Sequence, residues 1–245
     1  FDTVVNKNCK IYTPYGSTEA LPVTSIEKQE VLRLTLNNTK KGLGICVGKP
    51  VPGMKIKIIK IMDTPIRNWK NELEVQQGTI GEIIVQSPWV TKSYFKKPKA
   101  NEFAKINDGD FFWHRMGDVG YLDKEGHVWF CGRKSHRVVC KSETLFTIPC
   151  EEIFNQVEGV KRSALVGVGE KSIQRPILIV EADISILKKD KERLKAELLK
   201  VASEFDLTKK IKDILFHKSF PVDIRHNAKI FREKLAIWAE TKIIK

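Results

Sequence analysis

The chain has 245 residues, 42% hydrophobic and 30% charged, ordinary for a globular protein and enough for one large core or two smaller ones. Its formal charge of +13 is spread as lysines interleaved with acids, as in KKDKERLKAE, with no aromatic-studded basic motif, so no nucleic-acid partner is expected. No apolar run approaches the ~18 residues of a membrane span, no secretory signal pattern opens the chain, and five scattered cysteines and five histidines show no CxxC or HxxxH spacing. That combination argues against a transmembrane segment, a disulfide framework or a protein-only metal site, and for a reducing cytoplasm.

In chain order, FDTVVNKNCKIYTPYG reads as a strand entering a turn, without an initiating Met, so a longer parent is expected. The strand within residues 8–24 runs into a glycine-containing loop and then a short helical or irregular stretch. From Gly42 the pattern becomes all-β. Turns at Gly48-Lys49-Pro50 and Pro52-Gly53 lead into an alternating strand over Lys55–Ile61. Gly81–Val85 is a further strand, SYFKKPKANEFAK a helix or loop, and VGYLD and HVWFCGR a hairpin around Asp123-Lys124-Glu125-Gly126. Short strands with Gly and Pro punctuation predict a small distorted β-barrel over about 40–133. Beyond Arg133-Lys134-Ser135 the pattern turns α+β. A helix enters at Pro149, strands cover Ser163–Val168 and Pro176–Ala182, and Leu187, Leu194, Leu198, Val201 and Phe205 keep helical spacing. A last strand over 214–220 and a last helix over Ile230–Trp238 complete the reading.

Three stretches carry candidate chemistry. Tyr15-Gly16-Ser17-Thr18-Glu19 presents an aromatic face, hydroxyls and a carboxylate within one turn: a surface for a base, donors for a phosphate, and a hard oxygen ligand for Mg²⁺. Alone it reads equally as a helix N-cap with a first-turn acid. Gly117-Asp118, with Arg133 beyond the hairpin, places a carboxylate that suits a ribose diol and a guanidinium that suits sugar or phosphate. Alone it is a capped turn and a surface ion pair. Lys229, in PVDIRHNAKIFR, sits in a polar loop just ahead of an apolar helix and suits charge developing at a phosphoryl or carbonyl centre. Alone it is one solvated lysine among many.

The three occur in a fixed order. YGSTE, VGKPVPG, GEIIVQS, RMGDVGYLDKEGHVWFCGRK and RHNAK together resemble the later core motifs of the adenylate-forming superfamily, over nearly the whole chain. The resemblance implies an α/β plus α+β architecture: residues 1–39 as the end of a large α/β core, 40–133 as the β-barrel subdomain, and 134–245 as a compact α+β lid domain. It implies ATP and Mg²⁺. Tyr15 would stack the adenine within the Gly16 turn, Thr18 would contact phosphate, and Glu19 would hold Mg²⁺. Asp118 would take the ribose hydroxyls with Arg133 assisting, and Lys229 would bridge the substrate carboxylate and the α-phosphate.

Three departures narrow the resemblance. Ser135 stands where the family has a hinge acid, Met116 replaces a common threonine, and Ala228 replaces the glycine before the lysine. With TPYGSTEALPVTS and FTIPCEEIFN, they resemble the β-lactone-forming branch, often labelled fatty-acid CoA ligase. That branch activates a long-chain 2-alkyl-3-hydroxy acid as an acyl-adenylate and closes it on its own hydroxyl with release of AMP. From Arg133 to Glu158 the chain has no glycine. A Cβ at every position crowds a pantetheine tunnel, whereas an internal hydroxyl needs none. Thioester formation with CoA is the alternative, and a non-catalytic nucleotide-binding module a second one. The family's phosphate-clamping loop would precede YGSTE, so this stretch alone is expected to be weakly active or inactive. Apolar substrates of this kind would suit peripheral membrane contact or other hydrocarbon-pathway enzymes as partners, though no motif here specifies either.

Overall fold

A computed structural model of the chain describes residues 9–223 and 226–243. The opening FDTVVNKN, and Ile224 and Arg225 of the lysine-bearing stretch, lie outside the described residues. The chain divides into two units: residues up to Asn38 with Gly44–Lys134, and Thr39–Leu43 with the chain from Ser135 onward.

In the first unit, β1 (Tyr12–Ser17) and β2 (Ala20–Glu27) form an antiparallel hairpin with Ser17 opposite Ala20. The residues expected to be helical or irregular after Glu19 are therefore a strand. Ala20, Val23 and Ile26 are each no more than 3% exposed, so they gain more from burial in the sheet than Ser-Thr-Glu gains from capping a helix. After a helical stretch over 28–40, β3 (Ile45–Cys46) and β4 (Lys49–Pro50) follow, and β4 closes a three-stranded sheet on β2. A six-stranded, half-barrel sheet is built from β3, β5 (Lys55–Ile59), β6 (Gly81–Gln86), β7 (Lys105–Asp108), β8 (Phe111–Leu122) and β9 (Val128–Arg133). Its order is β3-β9-β8-β6-β5, with β7 on β8. SYFKKPKANEFAK resolves into loop plus a short helix, Pro98–Ala104, with Pro98 in its first turn, where its missing N–H leaves no intrahelical bond unmade.

The Asp123–Gly126 turn holds itself together. Asp123 Oδ1 accepts the N–H groups of Glu125 (3.0 Å) and His127 (2.8 Å), and Trp129 Nε1 donates to Oδ2 at 2.8 Å. Gly120 lies where a Cβ would stand 2.2 Å from the Trp129 carbonyl, so only glycine allows β8 and β9 to approach this closely. Beneath the sheet, the buried Arg115 gives Nε and NH2 to Glu82 at 2.9 and 2.7 Å and NH1 to the Thr64 carbonyl at 2.9 Å. Lys134 joins the same carboxylate at 3.0 Å.

The second unit is an open α+β sandwich. β12 (Val160–Val168) and β13 (Arg175–Ala182) are antiparallel, and β14 (Asp213–Phe216) lies parallel to β13. Strand alternation splits the core in two. Leu165, Leu178 and Val180 pack with Phe154, Leu194 and Leu198 of the helices Thr147–Phe154 and Lys191–Glu204. Ala164, Val166, Ile177 and Ile179 pack with Leu235 and Ala239 of the helix Arg232–Ile243. The single helix expected through Leu187–Phe205 is two, Ile184–Lys189 and Lys191–Glu204. Asp190 separates them at φ −131°, ψ 24°, closing the first and opening the second. The charged run around it offers no apolar side chain to hold a continuous helix on the sheet.

Two short hairpins complete the unit, β10 (Val138–Val139) with β11 (Thr144–Leu145), and β15 (Val222–Asp223) with β16 (His226–Ile230). Lys229 thus lies on a strand rather than in a polar loop. Pairing of Val222 with Ile230 is what the loop reading missed.

Candidate functional site

Gly117 adopts φ +70° within β8, a left-handed turn of the backbone that a β-carbon disfavours, and Asp118 follows directly opposite Arg133 on β9. The acid is buried while the arginine side chain is 51% exposed; Arg133 NH1 lies 3.0 Å from Asp118 Oδ1. NH1 also donates to the Met116 carbonyl at 3.4 Å. From the other side, Tyr15 donates its hydroxyl to Asp118 Oδ2 at 2.7 Å. Burial pushes the Asp118 carboxyl above its ordinary value, opposed by Arg133 and the Tyr15 hydrogen bond. Burial and then the Asp118 charge push the Tyr15 phenol well above its own. Oδ1, although in ion contact with Arg133, completes no hydrogen bond. It is an acceptor with capacity left, set beside a half-buried aromatic ring and an open guanidinium, the donor–acceptor set that a vicinal diol and a purine satisfy.

Thr18 and Glu19 form the tip of the β1–β2 hairpin, with Thr18 exposed and Glu19 half-buried. The Glu19 carbonyl accepts the Thr91 N–H at 2.9 Å, fixing the tip. Burial works to raise the Glu19 carboxyl, but the Ser17 and Tyr94 hydroxyls and its own backbone N–H outweigh it and hold it below its usual range. Tyr94 is correspondingly pushed up to about 12, by burial and by Glu19. His114 donates Nδ1–H to the Ala104 carbonyl at 3.2 Å, which can only accept, so Nε2 carries the lone pair. Burial and then Lys105 drop its pKa to about 4. Lys105 pairs with His114 across β7–β8, gives its ammonium to the Thr91 carbonyl, and is lowered by burial to about 8. Glu19 is therefore an ionised oxygen donor at neutral pH. A single such carboxylate fits Mg²⁺, which keeps several waters and takes its other ligands from phosphates.

Of the residues expected from sequence, Tyr15, Asp118 and Arg133 converge, and Gly16, Thr18 and Glu19 lie on the hairpin that carries Tyr15. Ser135 and Lys229 belong to the second unit. Ser135 sits in the 3₁₀ turn Lys134–His136. Lys229 is exposed on β16, and the chain is fixed three residues later by Arg232. That side chain grips Glu151 through Nε (3.1 Å) and NH2 (2.5 Å), while Glu151 Oε1 also accepts the Leu165 N–H at 2.8 Å. Burial raises the Glu151 carboxyl, with Arg232 opposing.

Sequence reading missed His114, Lys105, Tyr94 and the two buried ion pairs. Glu82 inside GEIIV and Glu151 inside a helix start that packs on a strand were the available signals, since an acid among buried apolar residues needs a partner. No local signal joined Tyr94 to a hairpin tip far upstream.

The chain matches the AMP-binding enzyme family over residues 1–95. It is 44% identical over 243 residues to the olefin beta-lactone synthetase of Stenotrophomonas maltophilia (strain K279a), covering 97% of this chain and 44% of that protein. The olefin beta-lactone synthetase of Xanthomonas campestris pv. campestris is 44% identical over 237 residues, covering 95% and 42%. The ATP-bound structure of MatB from Rhodopseudomonas palustris superposes with a TM-score of 0.72 at 21% identity, over 94% of this chain and 41% of that one. The chain spans under half the length of these relatives. The alignment with the two synthetases runs over nearly all of this chain, and the chain belongs to the AMP-binding enzyme family.

Proposed function

We propose that the chain is part of an enzyme that uses ATP to convert a long-chain 2-alkyl-3-hydroxy acid to its acyl-adenylate and then to a β-lactone. The observation that carries this is the Tyr15–Asp118–Arg133 constellation, set in a chain 44% identical to two olefin beta-lactone synthetases. Asp118 Oδ1 accepts from the ribose diol, Arg133 holds the same sugar from the solvent side, and the Tyr15 ring, oriented by its hydroxyl, stacks on adenine. Thr18 donates to phosphate at the Gly16 turn. Glu19, with phosphate oxygens and water, would hold Mg²⁺, which neutralises phosphate charge when bound.

In the first step a substrate carboxylate oxygen attacks the α-phosphorus, and the bond to the β-phosphate oxygen breaks, releasing pyrophosphate. Lys229 stabilises the charge shared by carboxylate and α-phosphate. In the second step the substrate's 3-hydroxyl oxygen attacks the acyl carbon, its proton is lost, and AMP leaves as the four-membered ring closes. The nucleophile is covalently tethered, so no second substrate need enter. The absence of glycine over 133–158, around Ser135 at the proposed hinge, supports an internal acceptor over a thiol.

The test is mass spectrometry of products from Mg-ATP and a 2-alkyl-3-hydroxy acid, with and without CoA, on protein of the full family length and on this chain. Lactone and AMP in both conditions are expected from the long form. A thioester on adding CoA overturns the acceptor assignment, and ATP binding without pyrophosphate exchange overturns the catalytic one.

A further inference from the structure

Large aromatic side chains left in water are unusual when they gather on one segment. In the first unit Trp89, Phe95, Phe103 and Phe111 are 42, 84, 48 and 67% exposed, all within residues 88–112. They are not there through slack chain. Tyr94 N–H donates to Asn101 Oδ1 at 2.6 Å, and Asn101 Nδ2 donates back to the Tyr94 carbonyl at 3.2 Å. The Lys105 ammonium bonds the Thr91 carbonyl. These bonds tie the loop to the helix and strand that follow it. Lys96, beside Phe95, is held at φ +55°, a conformation disfavoured for a side chain with a Cβ. Phe111 stands at the tip of the β7–β8 hairpin, after the Gly109-Asp110 turn.

The same segment is basic on balance: residues 88–112 carry five lysines against Glu102, Asp108 and Asp110, and Lys92, Lys96, Lys97 and Lys99 are exposed. Between Val90, Phe111, Phe112 and Gly53 lies a cavity of about 380 Å³, with Lys55, Lys92 and Asp110 in its wall. An apolar recess with two ammonium groups to one carboxylate in its wall favours an amphiphile with an anionic head.

We propose that this face docks on an anionic lipid surface, with the Trp89, Phe95 and Phe111 rings entering the acyl–headgroup boundary and the lysines meeting lipid phosphates. Exposed tryptophan and phenylalanine beside clustered lysines is the pairing that gives interfacial binding two additive terms, apolar insertion and Coulomb attraction. A single-stranded nucleic acid would instead call for aromatic rings along a charged groove; here the rings stand at the tips of a loop and a hairpin. The inference is independent of the acceptor chemistry above, and it supplies a place where a membrane-borne acid could be met.

The experiment is co-sedimentation of the full-length protein with vesicles of phosphatidylcholine alone or containing phosphatidylglycerol, at low and physiological salt. Binding to the phosphatidylglycerol vesicles, weakened by salt, is expected. Phe95→Ser with Phe111→Ser should lower partitioning about tenfold, and Lys92, Lys96, Lys97 and Lys99→Gln should weaken its salt dependence. Both variants should keep the parent's circular dichroism and pyrophosphate exchange with a water-soluble acid, so a failure here is separable from a failure of the enzymatic reading. Acrylamide should quench Trp89, measured by difference against Trp89→Phe, before but not after vesicles are added. No binding to phosphatidylglycerol vesicles at low salt, or binding unchanged in both variants, overturns the proposal. Shielding of Trp89 before vesicles are added assigns the face to packing within the longer protein, and variant-sensitive retention of single-stranded nucleic acid with no vesicle binding assigns it to that ligand. Either result also overturns it.

Discussion

Asp118 and Lys229 carry the two most consequential proposed roles, and the fold holds them by opposite means. Asp118 is buried in the middle of a strand of 12 residues, directly opposite Arg133, with a tyrosine from another sheet on its second oxygen. Its position is a matter of register, and shifting β8 by one residue would turn the acid to the other face. Lys229 is exposed on a five-residue strand paired with a two-residue one. What locates it is the Phe231 N–H on the Pro221 carbonyl at 2.9 Å and the Glu151–Arg232 pair just beyond. The contrast separates a recognition element built into a ladder from a chemical element mounted on a small hairpin and pinned just beyond it.

That contrast can be broken most severely at the pin. Arg232→Met leaves Glu151 charged and buried without its partner and should lower unfolding free energy by about 3–5 kcal/mol, read from urea denaturation. Adding Glu151→Gln should recover most of it. Next in size is Lys229→Ala, expected to slow adenylation about 10²–10³-fold, some 2.7–4 kcal/mol of barrier, while ATP affinity stays within a few-fold. A comparable loss of affinity would mean that Lys229 belongs to recognition after all. Asp118→Asn should weaken ATP binding by about 1.5–3 kcal/mol, measured by calorimetry, without a matching loss of stability. The sign follows from burial. The folded carboxyl titrates above its unfolded value, so just above pH ~4 the native state holds more protons than the unfolded chain. Stability then falls as pH rises towards the raised value, and Asp118→Asn should remove that fall. Smallest is Tyr15→Phe, which keeps the ring and removes the hydroxyl. About 0.5–1.5 kcal/mol of ATP affinity should go with it, and a larger loss would make orientation of the ring the main determinant.

The sequence made the first half of this contrast easier to see than the second. Asp-Lys-Glu-Gly between two strand-like runs is a local signal, and it set Asp118 across the ladder from Arg133, although the strand of Asp118 begins earlier, at Phe111. Ala20–Glu27 was harder. Its apolar residues are spaced unevenly, and Ser-Thr-Glu before them has the chemistry of a helix start, so only the sheet it joins decides its conformation. The hairpin under Lys229 hid for a similar reason: two paired residues at Val222–Asp223 carry no periodicity. Nor could spacing have shown that the Tyr15 hydroxyl, cast only as part of a stacking ring, is spent on Asp118. Family resemblance reached these residues by order along the chain; the hydrogen bonds between them come from tertiary packing.

The Glu151–Arg232 pair has one further consequence, for anyone recombining this chain with its relatives. It works as a datum from which the ammonium is measured along a fixed length of backbone. One residue inserted between Lys229 and Ile230, within the strand, would displace the amine by about 3.3 Å and rotate it to the opposite face, an error no rotamer corrects. Grafted segments should therefore be joined outside the interval from Lys229 to Arg232, and a chimera that transfers the lysine should transfer Arg232 with it and place it opposite a glutamate.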